Sequence, residues 1–376
     1  MRNPIRILGV AVVVAAAAVA AVVPAQAAGD GAAGRAVFVQ NNSTDGNGIA
    51  TYHRNPDGTL SYLTTYPTGG LGGRESGAGT DPLASQGSLV LVRDAGLLLA
   101  VNAGSNTISV FRVEGEQLQL TQVLDSGGSF PTGFAVRDDL VYVQDGGGQG
   151  AVSGYRIAGG KLHPIEGSTR TLDLGNTPNP FFLASTAEVG FTPDGAHLIV
   201  TTKTHGTVDV FSVGSDGRHS STAVKNAPAG PVPFAFVFDT SGRLILNFAG
   251  TSSLEAFTVN GDNTITPVTA AVSDTQAALC WVTSAAGFEY TTNTGSGNVS
   301  QFSIPSGGTP VLINPIAAGG IPGATDSAAA GGSFLYVQSG TSGTVHVFAI
   351  GAGGSLTRIQ VASVPDGDDQ EGIAVS

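Results

Sequence analysis

Seven segments of the chain share one layout: an apolar strand, a short loop rich in Gly, Asn, Ser and Thr, and a second strand that ends in an aromatic residue. Two examples are LLLAVNAGSNTISVF at 97–111 and FLYVQSGTSGTVHVF at 334–348. Successive closing aromatics are 59, 44, 56, 46, 45 and 46 residues apart. They are Tyr52, Phe111, Tyr155, Phe211, Phe257, Phe302 and Phe348. A repeat of this length indicates one supersecondary unit per period.

Each unit contains two further strands. A Gly or Asp-Gly turn follows most of the aromatics and leads into another short strand, and an apolar stretch precedes each pair. Seven antiparallel units of four strands predict an all-β fold, a seven-bladed β-propeller with almost no helix. A parallel β-helix is the competing architecture, but its coils are shorter and lack regular hairpins.

The two ends of the repeat array are complementary. The first unit lacks its leading strand, whereas EGIAV at 371–375 is a leading strand with nothing after it. We therefore expect the C-terminal strand to pair with residues 36–40 and close the ring, which removes the open ends of a linear array. Residues 28–376 then form a single domain.

The N-terminal residues 1–27 have the pattern of a secretory signal peptide. Arg2 and Arg6 precede an apolar stretch at 7–23, and Pro24 and the triplet Ala25-Gln26-Ala27 follow. We expect cleavage after Ala27, a secreted protein and no membrane span thereafter. The alternative is an uncleaved anchor, which an alanine-rich stretch of this length favours less. A single cysteine, Cys280, excludes an intramolecular disulfide.

The charge balance argues against nucleic acid as a partner. The chain has 28 acidic and 16 basic side chains, and the basic residues are scattered without a run. A phosphate backbone requires a concentrated basic face. We expect no nucleic-acid binding.

The repeats resemble those of a known family. LAVNAGSNTISVF, YTTNTGSGNVSQF and the turn FTPDG at 191–195 look like YVTN-type repeats of the seven-bladed lactonase family, which includes 6-phosphogluconolactonase and carboxymuconate cyclase. The likeness covers essentially all of 28–376. It implies an active centre on one face of the channel, built from His, Arg and a carboxylate, that binds an anionic substrate and opens or closes a ring.

The chain departs from the family where those His and Arg residues are expected. Pro178-Asn179 and Pro180-Phe181 precede the FTPDG turn, and Gly230-Pro231 is followed by Val232-Pro233. Neither 176–195 nor 226–238 contains Arg or His. Lactone opening requires a group that activates water and a donor that holds the oxyanion, and Val and Pro provide neither. We therefore expect that 6-phosphogluconolactone is not the substrate.

Several polar residues are candidates for a site at the channel mouth. Glu188 could act as a base, with Lys203 or His205 as the charge-stabilising partner. Trp281 could stack on a ligand or pack in the core. The ends of the leading strands supply the candidate ligand-binding residues Gln86, Gln276, Asp326 and Glu371. Hydrogen bonding to channel water and loop backbone is the alternative role of these polar side chains.

Metal and cofactor binding are not indicated. None of the six histidines has a metal-ligand spacing to another histidine or to the cysteine. Asp366, Asp368, Asp369 and Glu371 could hold Ca²⁺, but Glu371 stands where an EF-hand loop requires Gly, so a hydrated acidic loop is the simpler interpretation. We expect no metal site and no cofactor.

Two functions from different classes remain open. One is a monomeric binding propeller that holds a small molecule, a glycan or a protein at the channel mouth. The other is a divergent extracellular lactonase or cyclase that acts on an unphosphorylated ring.

Overall fold

The computed structural model describes residues 35–376, which form seven antiparallel sheets. Blade 1 begins with β1 (Ala36–Gln40), β2 (Gly48–Arg54) and β3 (Leu60–Pro67). Blade 2 contains β4 (Leu89–Val92), β5 (Leu97–Asn102), β6 (Thr107–Glu114) and β7 (Gln117–Asp125). Blade 3 contains β8 (Pro131–Arg137), β9 (Leu140–Asp145), β10 (Ala151–Ala158), β11 (Lys161–Pro164) and β12 (Arg170–Thr171).

The other four blades follow the same order. Blade 4 contains β13 (Val189–Phe191), β14 (His197–Thr202), β15 (Thr207–Ser212) and β16 (Val224–Asn226). Blade 5 contains β17 (Pro233–Phe238), β18 (Leu244–Phe248), β19 (Ser253–Val259), β20 (Ile265–Pro267) and β21 (Val272–Ser273). Blade 6 contains β22 (Leu279–Ala285), β23 (Phe288–Asn293), β24 (Asn298–Ser303) and β25 (Val311–Gly319). Blade 7 contains β26 (Ala324–Ala330), β27 (Phe334–Ser339), β28 (Thr344–Ile350) and β29 (Leu356–Ser363).

The last strand, β30 (Ile373–Val375), belongs to blade 1. It pairs antiparallel with β1 in the register Val37 to Val375 and Val39 to Ile373. This pairing confirms the predicted closure of the ring by the C-terminal strand, and with it the seven-bladed all-β fold. In the described part of the chain the helical structure is limited to short 3₁₀ turns.

The closing aromatics hold neighbouring blades together. All seven are buried between sheets. Where the aromatic is Tyr, its hydroxyl donates to a carbonyl of the preceding blade: Tyr52 to Ser363 at 2.7 Å and Tyr155 to Asp125 at 2.8 Å. A buried phenol needs such an acceptor, whereas Phe at the other positions does not.

Two connections between blades are long, and both contribute to the candidate site. The 21 residues at 68–88, called the cap segment here, join blade 1 to blade 2, and residues 172–188, called the second connection, join blade 3 to blade 4. They account for the two wide spacings between closing aromatics, 59 and 56 residues. Residues of both segments line one cleft, which is described below.

Candidate functional site

The cap segment crosses the mouth of the channel and is anchored on both sides of the ring. The Gly72 N–H donates to the Ser43 carbonyl of blade 1 at 2.8 Å, and the Gln86 N–H donates to Ala187, next to blade 4, at 2.9 Å. Further hydrogen bonds reach blade 3 (Ser85 Oγ to the Thr132 carbonyl, 2.8 Å), blade 6 (Trp281 Nε1 to the Ser85 carbonyl, 2.9 Å) and blade 7 (Thr80 to Thr341 hydroxyl, 3.2 Å). The segment therefore has a fixed path, although it has no regular secondary structure.

One close approach explains a glycine in blade 7. A Cβ added at Gly340 would lie 2.1 Å from the Thr80 carbonyl oxygen, which is far inside contact distance. Any side chain at 340 would push the cap segment away from the ring.

A buried ion pair lies under the cap segment. Lys203 Nζ is 3.4 Å from Glu75 Oε2, and neither side chain is exposed to solvent. The ammonium also donates to the Ala84 carbonyl at 2.8 Å and lies 5.8 Å from the centre of the Phe234 ring. Burial raises the pKa of Glu75 to about 8, and the nearby Lys203 charge opposes that rise. This pair ties the cap segment to the β14–β15 turn.

A pair of carboxyl groups meets beside the ion pair. The side chains of Asp81 and Glu371 are hydrogen bonded to each other, and burial raises the pKa of both. Glu371 accepts the Leu83 N–H at 2.9 Å and the Ser85 N–H at 3.2 Å, while Asp81 Oδ1 accepts the Ala84 N–H at 2.6 Å. Two carboxyls in contact cannot both ionise readily, so the two groups titrate as one coupled pair whose pKa values are raised.

Asp81 also faces an open cleft of about 340 Å³ between blades 5 and 6. The cap segment and the second connection form its other walls. The lining is apolar except for Asp81, two threonine hydroxyls and backbone groups. The lining residues are Gly79, Thr80, Asp81, Ala84, Phe182, Leu183, Val232, Phe234, Ala249, Gly250, Ala278, Cys280 and Thr294. A concave apolar site with a few polar groups is the usual form of a small-molecule pocket.

Backbone strain is present in this wall. Ala84, Val232 and Ala278 have left-handed φ angles of 45°, 57° and 58°. Such a φ is unusual for any non-glycine residue and most unfavourable for β-branched Val. The Val232 carbonyl accepts the Ala249 N–H at 3.0 Å, which holds the strained turn across the cleft wall. Strain of this kind is often found at functional sites.

The two stretches where the chain departs from the lactonase family reach this cleft. Phe182 and Leu183 follow 178–181, and Val232 and Phe234 lie in or beside 230–233. The residues that these stretches contribute to the cleft are hydrophobic.

Three of the residues singled out in the sequence hold the cap segment in place. Gln86 accepts the Val282 N–H at 3.0 Å and donates to Glu188 Oε1 at 3.4 Å. Glu188 Oε2 accepts the Phe236 N–H at 2.6 Å, and burial raises the pKa of Glu188 well above its usual value. Trp281 donates to Ser85 and packs edge-on against Phe234, with ring centres 5.2 Å apart.

The remaining predicted residues are spread more widely. Asp326 is buried near this group and accepts the Ser327 N–H at 2.8 Å, and burial raises its pKa to about 7. Gln276 accepts a hydrogen bond from Asn298 at 2.6 Å at the edge of blade 6. His205 is exposed, and its ring contacts the Leu174 carbonyl at 3.0 Å.

The three residues predicted to be catalytic, Glu188, Lys203 and His205, have different partners in the structure. Lys203 and His205 do lie in the β14–β15 turn, as expected, but Lys203 points inward to Glu75 while His205 points outward. Among the described residues, none of the eight predicted site residues lines the cleft. Glu188, Trp281 and Glu371 instead bond to neighbouring backbone groups, and Lys203 bonds to Glu75.

Sequence reasoning missed Glu75 and Asp81, which belong to the cap segment. The available signal was the 59-residue gap between Tyr52 and Phe111, which leaves room for an insertion.

The acidic residues before β30 have protein partners: Asp369 forms an ion pair with Arg74, and Glu371 is directed inward to Asp81. Within residues 35–376 no group of three or more His, Cys, Asp or Glu side chains is arranged to hold a metal ion.

Comparison with solved structures confirms the fold expected from the resemblance. The periplasmic gluconolactonase of Pseudomonas aeruginosa matches with a TM-score of 0.71 at 18% identity, over 91% of this chain and 99% of that one. A provisionally assigned 6-phosphogluconolactonase of Bacteroides fragilis matches with a TM-score of 0.69 at 16% identity, over 91% and 98%. A streptogramin B lyase shares the architecture at a TM-score of 0.52 and 11% identity, over 74% and 82%.

No family model and no curated protein matches the sequence. At these identities the structural likeness establishes the fold and not the activity. The described residues contain no helix that is long and apolar enough to cross a membrane.

Proposed function

We propose that this propeller binds a small, largely apolar molecule in the cleft between blades 5 and 6. The observation that carries the proposal is the cleft itself, which combines a continuous hydrophobic lining with one carboxyl group and a strained wall. The volume of about 340 Å³ suits a small molecule rather than a glycan chain or a protein segment.

The lining also limits the ligand's charge. Within the described chain, the residues that form the cleft wall include no Arg, Lys or His. A phosphate or carboxylate would meet Asp81 without a cationic partner, which is unfavourable in an apolar site. Anionic sugar phosphates are therefore poor candidates.

A substitution that fills the cleft tests whether ligands bind there. Ala249→Trp places an indole in the cleft, and Ala352→Trp places one on an exposed turn of blade 7 as the matched control. Molecules from a library of small uncharged and cationic compounds that raise the melting temperature of the native protein should also raise that of Ala352→Trp, but not that of Ala249→Trp. Equal shifts in both variants, or no shift from any compound, would contradict the proposal.

A second function, hydrolysis of an unphosphorylated lactone, is favoured by one observation. The Asp81–Glu371 pair could donate and accept a proton beside an apolar ring, which the predicted Glu188 could not do because it does not line the cleft. Two structural neighbours are described as lactonases. Purified protein should then hydrolyse members of a panel of apolar lactones, and Asp81→Asn should abolish turnover while Asp94→Asn, an exposed change in blade 2, should not.

We further propose that the protein is exported. The support is the signal-peptide pattern of residues 1–27, which lie outside the described residues. A single cysteine is compatible with an oxidising compartment. N-terminal sequencing of the protein secreted by an expressing cell should begin at Ala28.

A further inference from the structure

We propose that the ligand of the cleft is an organic cation, whose ammonium group pairs with Asp81 while its apolar body lies against Phe182 and Phe234. This inference rests on the proposed function, because it specifies the chemistry of the molecule that occupies the same cleft. Three observations carry it: the identity of the charged residue in the wall, the position of the nearest positive charge, and the aromatic rings.

Asp81 is the one carboxylic acid among the described residues that line the cleft, and this lining includes no Arg, Lys or His. One of its oxygens is held by the Ala84 N–H at 2.6 Å, which fixes the carboxyl group in place. Its partner Glu371 is fully buried behind it and accepts two backbone N–H groups of the cap segment. Backbone N–H donors therefore fix both carboxyl groups of the pair, and a carboxyl group fixed in this way is preorganised to pair with a cation.

The nearest positive charge does not reach the cleft. Lys203 is fully buried, and its ammonium is directed at Glu75 and at the Ala84 carbonyl. It also lies near the Phe234 ring, which itself lines the cleft. An ammonium group in the cleft would thus meet a carboxylate that has no cationic partner on the ligand's side.

The aromatic residues favour the same class of ligand. Phe182 and Phe234 belong to the wall that contains Asp81. Aromatic faces attract cations, and more so where water is excluded. A neutral apolar molecule would use the hydrophobic lining equally well, but it would give Asp81 no cationic partner on the side of the cleft.

The protonation of Asp81 and its neighbours distinguishes a cationic ligand from a neutral one. The titratable groups that surround Asp81 are Arg74, Glu75, Lys203, Cys280, Asp326 and Glu371. Burial raises the pKa of both Asp81 and Glu371, and a bound cation favours the state in which both carboxyls are ionised. Cation binding should therefore release protons and strengthen as pH rises, whereas a neutral acceptor should bind better at lower pH.

The experiment compares primary amines with their neutral isosteres. Isothermal titration of the full native protein with benzylamine, phenethylamine, hexylamine and 1-naphthylmethylamine is set beside titration with the corresponding alcohols, at pH 6 and pH 8. At least one amine should bind about tenfold or more tightly than its alcohol at pH 8. Its affinity should fall at pH 6, and buffers of different ionisation enthalpy should reveal proton release.

Variants of Asp81 and Ala249 distinguish a failure of the cation proposal from a failure of the cleft proposal. Asp81→Asn should remove the preference for the amine, and Asp94→Asn should keep it. The wild-type comparison of amine and alcohol stands even if Asp81→Asn fails to fold. If an alcohol binds as tightly as its amine and Ala249→Trp blocks it, the cation is wrong but the cleft is the site. If none of the eight compounds binds, both the cation and the proposed small-molecule site are rejected.

Discussion

At the scale of single residues, the cleft wall is held in conformations that its side chains disfavour. Val232 is the clearest case, because a β-branched side chain at a φ of 57° crowds the backbone. Such a conformation costs on the order of 1–3 kcal/mol and persists only where the surroundings impose it. Here the bond from Ala249 to the Val232 carbonyl and the neighbouring Pro231 and Pro233 impose it.

Replacing this valine should therefore have an unusual effect. We expect Val232→Gly to keep or raise the free energy of unfolding, by up to about 1 kcal/mol, because glycine adopts positive φ freely and the half-buried side chain loses little contact. The matched control is Val237→Gly in β17, also half-buried but in ordinary strand geometry, which should be destabilised. Urea unfolding of both variants measures the difference, and equal destabilisation would show that the Val232 turn is not strained.

Sequence reasoning located the residues around the channel better than it assigned their roles. We expect Gln86, Glu188 and Glu371 at the channel mouth from their place in the leading strands, and in the structure Glu188 bonds to Gln86 and Phe236 while Glu371 bonds to the cap segment. Their partners are cap-segment and neighbouring backbone groups. Their roles could not be predicted, because a repeat pattern fixes the blades but not the path of an irregular connection.

At the scale of strands, the inner strand β30, which closes the ring, differs from the strands at the outer edges of the blades. The outer strands β3, β7, β25 and β29 are eight or nine residues long and expose apolar side chains. Each has an irregular register with its neighbour, so that Leu63, Thr121 and Ile359, for example, have no partner in the ladder. Bulges of this kind discourage pairing with another sheet edge.

Apolar residues on these two kinds of strand should differ in their effect on stability. Ile373 and Val375 of β30 are buried, with exposures of 5% and 4%, whereas Ile359 and Val361 of β29 have exposures of 37% and 49%. Ile373→Ala with Val375→Ala should cost about 3–6 kcal/mol, because it creates cavities and loosens the closure of the ring. Ile359→Ala with Val361→Ala should cost about 1 kcal/mol or less.

Thermal and urea unfolding of the two double variants gives the comparison directly. Equal losses would mean that β30 contributes no more to the fold than an exposed outer strand.

The closure of the ring by β30 was predictable from the sequence. The first repeat lacks a leading strand and the chain ends in an extra one, so pairing the two completes the seventh four-stranded blade.

At the scale of the whole molecule, the buried carboxyl groups make stability depend on pH. Burial raises the pKa of Asp326 and Asp145 to about 7. Between the unfolded pKa and the folded pKa, the folded protein therefore keeps protons that the unfolded chain has already released. These contributions to stability are present below the unfolded pKa, near 4, and are lost as pH rises through the folded values.

We therefore expect the free energy of unfolding to fall between pH 5.5 and pH 8.5. Each such carboxyl can contribute up to about 1.4 kcal/mol per pH unit to the slope. Asp326→Asn should flatten the profile and make the variant relatively more stable at pH 8.5, while the exposed change Asp94→Asn should leave the slope as it is. Urea unfolding across this range provides the check, and an unchanged slope in Asp326→Asn would argue that Asp326 is ionised in the folded protein.

The cleft between blades 5 and 6 is the proposed place where a ligand binds. The most direct measurement is a crystal structure of the full native protein with the tightest-binding amine of the titration series. It should show the amine between Phe182 and Phe234, with its nitrogen within hydrogen-bond distance of an Asp81 oxygen. A cleft without the amine in that complex, or the amine bound at another face of the propeller, would contradict the account.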